Sequence, residues 1–173
     1  MDTTWICQIP DTPLETLWIA VTDTGLAAIA FSQNQANFTE WLDRHGCRPV
    51  IYDEERTALA RQQILEYLAG ERTEFTLPLD WRFMNDFQAR ALQATLAIPY
   101  GATTTYSALA AGLGRPRAAR AVGRAEATNP LPLVIPCHRV IGKDGSLRGY
   151  GGPQGIQHKA WLLDLERQNR QTS

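Results

Sequence analysis

Two short helices joined by a glycine-containing turn are predicted between residues 106 and 127, and no other feature constrains the fold as much. Apolar side chains recur at helical spacing in the first helix, which ends at Gly112 and Gly114. Pro116 stands where the second helix would begin, since proline suits the first position of a helix. The arrangement is typical of a helix-turn-helix, in which the second helix lies against DNA.

The second of these helices is predicted to have two contrasting faces. One face carries arginines and the other small or apolar residues, namely Arg117, Arg120 and Arg124 against Ala118, Ala121, Val122 and Ala125. The small face would let the helix pack closely against its neighbours while the arginines point outward. A guanidinium group is forked and weakly hydrated, so it suits contact with phosphates. A solvated basic surface is the alternative explanation of such a stripe.

A further helix precedes this pair. The sequence NDFQ offers Asn85 as an N-cap with Gln88 three residues later. This variant of the capping box predicts a helix that runs to about residue 97.

The first half of the chain predicts alternating strands and helices instead. LWIAV and LAAIAF flank the turn signal TDTG, which predicts a β-hairpin. Residues 37–45 predict a short helix, and CRPVIY predicts a further strand. Residues 54–69 predict an amphipathic helix with Gly70 after its end. TEFTLPLDW predicts a strand that leads into a linker around residues 78–84.

Charge divides the chain near this linker. Residues 1–80 contain 5 Lys and Arg against 13 Asp and Glu, and residues 81–173 contain 12 against 5. The overall net charge of −1 therefore hides an acidic half of −8 and a basic half of +7. We expect two domains, 1–80 and 81–173, with the basic one facing a polyanion. Attraction between the two halves is the other explanation of this asymmetry.

The cysteines and the hydropathy limit the cellular setting. Cys7, Cys47 and Cys137 are an odd, widely spaced set without a CxxC pair, which fits a reducing cytosol rather than a disulfide framework. No apolar run is long enough to span a membrane, and the N-terminal residues do not resemble an export signal. We therefore expect a cytoplasmic protein without a membrane partner.

Cys137, in the segment IPCHRVIG, is the candidate for chemistry. A metal site there is disfavoured, because no Cys or His follows at the paired spacing that structural zinc requires. Cys7, His45 and Cys47 are the other residues that could converge on a metal, although scattered residues of this kind more often belong to the core or the surface. A cysteine hydrolase is disfavoured too, because a base adjacent in sequence points away from the thiol. His158 is the alternative base.

A thiolate that is activated without a hydrolytic cycle is the third interpretation. Pro136 precedes Cys137 as at the first turn of a helix, where free N–H groups favour a thiolate. A histidine linked through water, steadied by a carboxylate, could accept the proton. The polar neighbours His138 and Arg139 argue against Cys137 being merely a small buried residue.

The surrounding motif resembles a known family. NPLPLVIPCHRVIG, preceded by IPYGATTTYSALAAGLGRPRAARAVGRA, is similar to the O6-alkylguanine-DNA alkyltransferases over roughly residues 81–166. The resemblance implies an α+β fold, with a ribonuclease-H-like α/β domain followed by a winged helix-turn-helix domain that holds the active site. It also implies a DNA repair protein without cofactor or metal, which transfers an alkyl group from guanine O6 to its own cysteine once.

The same resemblance implies the catalytic roles. Cys137 would attack the alkyl carbon directly and keep it as a thioether. His138 would take the thiol proton through a bound water, with Glu166 as the carboxylate behind it. Asn129 would brace the loop that carries Cys137. No activated water or metal would be present to hydrolyse the product.

The resemblance further implies how DNA is bound. The damaged base would be flipped out of the duplex from the minor-groove side, with Arg120 filling the vacated stack and Tyr106 pushing the target phosphate. Further positions that match DNA-contacting residues are Gln88, Ser107, Arg115 and Lys143, beside the arginine stripe of Arg117 and Arg124. The base pocket would be lined by Val140, Tyr150, Gly151 and Gly152. Off DNA, we expect a monomer.

The chain departs from the family pattern near this pocket. PQG is inserted after GYGG, and Gly151 replaces the usual Ser or Ala. The final helix stays plausible because Ile156, Ala160 and Leu163 keep helical spacing. The range of alkyl groups accepted, activity on O4-alkylthymine and cooperative binding to DNA stay open. Glu126 adds a negative charge to the predicted recognition helix, for which the sequence offers no reason.

Two other functions are compatible with parts of the pattern. A damage-sensing or regulatory helix-turn-helix would bind DNA without chemistry, and the presence of Cys137 argues against it. A cysteine hydrolase would turn over repeatedly on a peptide or ester and would not need DNA.

Overall fold

The computed structural model describes residues 3–31, 34–150 and 154–170. The chain forms two compact units, residues 1–83 and residues 84–173.

The first unit is built on a four-stranded sheet with the spatial order β3-β2-β1-β4. Its strands are β1 (Thr4–Thr12), β2 (Glu15–Val21), β3 (Leu26–Phe31) and β4 (Val50–Tyr52). The first three pair antiparallel, and β4 adds to β1 in parallel. The predicted hairpin is therefore confirmed as β2 and β3, and the predicted strand in CRPVIY is confirmed as β4. Strand β1 occupies a central position in the sheet and was not predicted from the sequence.

The segment TEFTLPLDW does not form the predicted strand. Its pairing is reduced to one parallel bridge between Leu26 and Leu79, flanked by hydrogen bonds from Leu26 to Pro78 and from Asp80 to Leu26. Pro78 has no N–H group and cannot extend a ladder. Gly25 is required at this approach, because a Cβ atom there would lie 2.2 Å from the carbonyl oxygen of Pro78.

Two capped helices accompany the sheet. Helix α1 (Gln35–Arg44) begins at the N-cap Asn34, and α2 (Glu54–Leu68) begins at the N-cap Asp53, so both predicted helices are confirmed. Helix α1 contributes Phe38 and Leu42 to a core that also contains Trp18 of β2. The fold of this unit thus follows from burial of one sheet face by apolar helix residues.

The second unit is mainly helical. It contains α3 (Asp86–Leu96), α4 (Tyr106–Gly112), α5 (Ala119–Ala127) and α6 (Gly155–Arg170). Between these helices lie two short parallel strands, β5 (Thr104–Thr105) and β6 (Val140–Ile141), and a 3₁₀ turn over Cys137–Arg139. Asn85 caps α3 as predicted, but the Gln88 amide reaches Thr128 rather than back to the cap.

The helix-turn-helix consists of α4 and α5, with two corrections. Helix α5 begins at Ala119, three residues after Pro116, which lies in the preceding turn. Ala121 is exposed, so the packed face consists of Val122, Ala125 and Glu126. Helix α6 differs more from its predicted packing, because it exposes Ile156 and buries a largely polar face. None of the helices in the described ranges is long and apolar enough to cross a membrane.

Burial predicts very different costs for two leucines on α3. Leu92 is fully buried, whereas Leu96 is 41% exposed. We expect Leu92→Ala to lower the free energy of unfolding by roughly 2–5 kcal/mol, because it leaves a cavity. Leu96→Ala is the matched control and should cost no more than about 0.5 kcal/mol. Urea unfolding at neutral pH measures both, and equal losses would contradict the packing described.

Candidate active site

Cys137 begins the 3₁₀ turn and is buried, with 4% of its surface exposed. The Asn129 side chain ties this turn to the preceding segment. Its amide nitrogen donates to Sγ of Cys137 at 3.2 Å and to the carbonyl oxygen of Ile135 at 3.0 Å, and its Oδ1 accepts from the Leu131 amide at 2.9 Å. The thiol therefore has a fixed position.

The resting thiol is protonated, contrary to the expectation of a lowered pKa. Burial and the negative charge of Glu126 together raise the pKa of Cys137 to about 12, against the opposing effects of the Asn129 hydrogen bond and the charge of Lys159. The 3₁₀ turn has only three residues, so its N-terminus does not offset burial. The expectation that Cys137 is not a buried residue was also wrong.

His138 lies beside Glu166 in the interior. Its Nε2 is 2.8 Å from Oε1 of Glu166, and both side chains are fully buried. A carboxylate can only accept hydrogen bonds, so Nε2 carries the proton. The lone pair is then on Nδ1, and the ring can take up a proton there.

Arg139 completes the interactions of this carboxylate. Its guanidinium contacts both oxygens of Glu166 and also donates to the carbonyl oxygen of Ile98 at 2.6 Å. The amide of Gly101 donates to Oε2 of Glu166 at 2.8 Å. Glu166 of α6 thus joins the 3₁₀ turn to the chain after α3.

The ionisation states of the pair follow from these contacts. Burial alone would raise the pKa of Glu166, but hydrogen bonds from His138 and Arg139 outweigh it and bring that pKa to about 2. Burial lowers the pKa of His138 despite the neighbouring carboxylate. His138 is therefore neutral at pH 7, and Arg139 supplies the positive charge that Glu166 requires.

Lys159 of α6 is a fully buried cation near the thiol. Its Nζ donates to the carbonyl oxygens of Val140 and Arg148 at 2.6 and 3.0 Å and to the Tyr106 hydroxyl at 3.3 Å. The Tyr106 hydroxyl in turn donates to the Arg148 carbonyl oxygen at 3.2 Å. Burial lowers the pKa of Lys159.

A groove of about 670 Å³ opens beside these residues. Helices α4 and α5 form one wall of it, and the loop after β6 forms the other. The lining includes Tyr106, Ser107, Ala119, Arg120, Gly123, Gly142, Lys143, Asp144, Arg148 and Gly149. Small residues leave room on the α5 side, while three cations make the groove suitable for an anionic ligand.

Comparison with known proteins places both units in one family. Residues 6–81 match the family described as 6-O-methylguanine DNA methyltransferase, ribonuclease-like domain, and residues 86–168 match 6-O-methylguanine DNA methyltransferase, DNA binding domain. The chain belongs to the 6-O-methylguanine DNA methyltransferase family. The resemblance that the motif around Cys137 predicted is confirmed, and so is the predicted fold class.

Individual relatives in this family cover nearly the whole chain. The constitutive methylated-DNA–protein-cysteine methyltransferase of Bacillus subtilis is 40% identical over 91% of this chain and 92% of its own length. The Mycobacterium leprae protein with the same general name is 40% identical over 96% and 95%. A solved structure of Mycobacterium tuberculosis OGT in complex with DNA superposes with a TM-score of 0.81 at 38% identity, covering 95% of this chain and 94% of that one.

The structure brings some predicted site residues together and separates others. Asn129 contacts Cys137, and the adjacent His138 contacts Glu166. Tyr106, Ser107, Arg120 and Lys143 share the groove. The arginines 117 and 124 are exposed outside the groove lining. Gln88 contacts Thr128, and the Arg115 guanidinium lies 5.7 Å from the Phe87 ring.

The predicted base pocket is only partly described. Val140 and Tyr150 are buried, and neither is among the described residues that line the groove. The Tyr150 ring packs edge-on against His138 with centroids 6.2 Å apart. Gly151 and Gly152 lie outside the described residues, as does Pro153 of the PQG insertion.

The burial of three charged residues at the site was not predicted from the sequence: Arg139, Lys159 and Glu126. Arg139 stands next to His138, but its charge suggested exposure. In α6, helical spacing from Glu166 back to Lys159 would have placed the two on one face. Glu126 was noticed without an explanation.

The suggested metal ligands of the first unit do not form a cluster. Cys7 and Cys47 are buried, and the His45 ring stacks on Trp41 with centroids 4.0 Å apart. Over residues 3–31, 34–150 and 154–170, no group of three or more His, Cys, Asp or Glu side chains is arranged to hold a metal ion.

Removal of the Glu166 charge should destabilise the protein in a pH-dependent way. We expect Glu166→Gln to lower the free energy of unfolding by about 3 kcal/mol at pH 7, because Arg139 is left buried and unpaired. The pKa of Glu166 is depressed to about 2, so its stabilisation is complete above its unfolded pKa and is lost as the pH falls toward 2.

Urea unfolding of both proteins from neutral pH down to about pH 3 measures this difference. It should shrink as the pH falls. The exposed Asp164 of the same helix provides the control, since Asp164→Asn should change stability by less than about 0.5 kcal/mol. A Glu166→Gln difference that stays constant with pH would show that the carboxylate is not ionised in the folded state.

Proposed function

We propose that this protein repairs DNA by transferring a methyl or larger alkyl group irreversibly from guanine O6 to Sγ of Cys137. It is a methylated-DNA–protein-cysteine methyltransferase, and each molecule carries out the transfer once. The observation that carries the proposal is a thiol held by Asn129 beside the His138–Glu166 pair, within a DNA-binding unit of this family. Relatives that span nearly the whole chain are named for the same reaction.

The reaction is a direct displacement at the alkyl carbon. The bond from Sγ to carbon forms as the bond from carbon to O6 breaks, and its electron pair stays on the guanine oxygen. The thiol proton passes through a water molecule to Nδ1 of His138. The departing guanine anion takes up an equivalent proton, which solvent carries from the imidazolium. Cys137 ends as a thioether, which is a poor electrophile and is not hydrolysed.

His138 and Glu166 make this proton transfer possible. The neutral imidazole offers a lone pair at Nδ1, and the imidazolium that forms is stabilised by the carboxylate at 2.8 Å. Glu166 keeps its charge because Arg139 and the Gly101 amide hold it. Asn129 keeps Sγ in line with the alkyl carbon.

DNA is expected to bind from the minor-groove side with the damaged base flipped out, because O6 is inaccessible in the stack. Arg120 lines the groove and is exposed, which suits a side chain that fills the vacated stack. Tyr106 shares that groove and would rotate the target nucleotide. Arg117 and Arg124 add phosphate contacts. The monomeric state off DNA and the cytosolic location stay predictions from the sequence.

A mass measurement tests the chemistry. We expect the protein mixed with a duplex that contains one O6-methylguanine to gain one methyl group on the peptide that contains Cys137. Transfer should stop at one group per molecule, and Cys137→Ser should abolish it. Cys47→Ser removes another buried thiol and should transfer normally. Removal of the methyl group from DNA by Cys137→Ser would refute the mechanism.

A comparison of two substrates tests Arg120. Arg120→Ala should slow repair of the duplex by about tenfold or more, since one lost wedge contact costs roughly 1–3 kcal/mol. Reaction with the free alkylated base should be nearly unchanged, because no stack must be filled. Arg90→Ala removes an exposed charge from α3 and controls for general electrostatics. An equal loss of rate on both substrates would show that Arg120 has a structural role instead.

A further inference from the structure

Glu126 is a buried carboxyl group on the inner side of the recognition helix α5. Only 3% of its surface is exposed, although arginines occupy the outer side of the same helix. Its Oε1 lies 2.6 Å from Oγ1 of Thr95 on α3. Its Oε2 is buried and has no hydrogen-bond partner in the part of the chain that the structure describes. A single neutral contact is too little to hold a buried carboxylate.

The Thr95 hydroxyl stabilises an ionised Glu126 only in part, because the Ala91 carbonyl oxygen competes for its one proton. The Thr95 hydroxyl has one proton, and it also lies 3.0 Å from the carbonyl oxygen of Ala91, which can only accept. When Thr95 donates to Ala91, the contact with Glu126 is a hydrogen bond only if the carboxyl group donates. Burial favours the protonated form, since it raises the pKa of Glu126 to about 7 despite the opposing effects of Thr95 and Lys159.

Titratable groups on three other elements interact electrostatically with Glu126. Tyr106 lies on α4, Cys137 begins the 3₁₀ turn, and Lys159 lies on α6. Of these, Lys159 alone is a cation, and α3 contributes the neutral Thr95. On α5 itself, Arg124 is exposed to solvent. Glu126 and Cys137 therefore have one buried positive charge between them.

We propose that Glu126 is a positioning residue for alkyl transfer that competes with Cys137 for the charge of Lys159, so that transfer proceeds from the form in which Glu126 keeps its proton. The inference rests on the proposed function and deepens it. Lys159 is fixed by the Val140 carbonyl oxygen at 2.6 Å, directly after the turn that carries Cys137. A second negative charge in this low-dielectric group would oppose the charge that develops on sulfur.

The competition predicts an unusual dependence of rate on pH. Raising the pH should favour removal of the thiol proton and speed transfer. Above about pH 7, however, Glu126 loses its proton, and its charge then raises the pKa of Cys137. Above neutral pH, the rate of the unaltered protein should therefore rise less steeply than it would if Cys137 titrated without an ionisable neighbour.

Glu126→Gln tests this directly, because the amide keeps the shape and still donates to Thr95 but cannot ionise. Single-turnover methyl transfer from an O6-methylguanine duplex is measured from about pH 6 to about pH 9. The two proteins should react equally at the acidic end, and the variant should be about tenfold faster at the basic end, as for a shift of one pKa unit. Parallel pH profiles would overturn the proposal.

Three variants separate electrostatics from folding. Glu126→Asp keeps an ionisable group and should keep the shape of the unaltered profile. Asp86→Asn removes an exposed acid from α3 and should leave the profile unchanged. Thr95→Val removes the contact that lowers the pKa of Glu126. The pH above which the transfer rate rises less steeply should therefore increase. A Thr95→Val profile identical to that of the unaltered protein would contradict the role of Glu126.

A spectroscopic titration keeps this test independent of repair. Ultraviolet absorbance follows formation of the Cys137 thiolate, with Cys137→Ser as the baseline for the other two thiols. The thiolate should form at lower pH in Glu126→Gln than in the unaltered protein, and unchanged titration would reject the inference. If no methyl group is transferred at any pH while the titration shifts, the proposed function fails and the electrostatic coupling stands.

Discussion

The active-site unit depends on one buried carboxylate, that of Glu166. It accepts hydrogen bonds from the His138 ring, the Arg139 guanidinium and the Gly101 amide, which come from two separate parts of the chain. A buried ion pair is a weak source of net stability, because desolvation offsets most of the attraction. Here it serves orientation, since the carboxylate fixes the tautomer of His138 and keeps the lone pair on Nδ1, the atom that accepts the thiol proton in the proposed reaction.

The polar character of this network explains why α6 was hard to predict in detail. Apolar spacing identified the helix through Ile156, Ala160 and Leu163, yet Ile156 is 57% exposed. The packed face instead contains His158, Lys159 and Glu166, which pattern analysis assigns to solvent. A helix that supports a catalytic group can bury charge when partners are supplied from elsewhere. Those partners, such as Arg139, are invisible until the chain is folded.

Local signals predicted the remaining elements well where the chemistry of a cap or turn was decisive. Asn85 marks the start of α3, Gly70 follows the end of α2, and TDTG marks the hairpin. The misses came from tertiary context. Strand β1 lacks a turn signal before it, and the Pro78 segment had strand-like residues but pairs at a single bridge. The residues around Cys137 were found through a family resemblance, whereas the buried positions of Glu126, Arg139 and Lys159 required the structure.

The raised pKa of the thiol suits a protein that is consumed by its own reaction. Because burial raises the pKa of Cys137 to about 12, the thiol is almost entirely protonated at pH 7. Since the thiolate is the form that reacts with oxidants and stray electrophiles, the resting protein is protected from wasteful modification. In the proposed reaction, the proton is removed through His138 when a substrate is bound. Burial of Cys137 therefore favours selectivity over speed, which is the appropriate balance when each molecule reacts once.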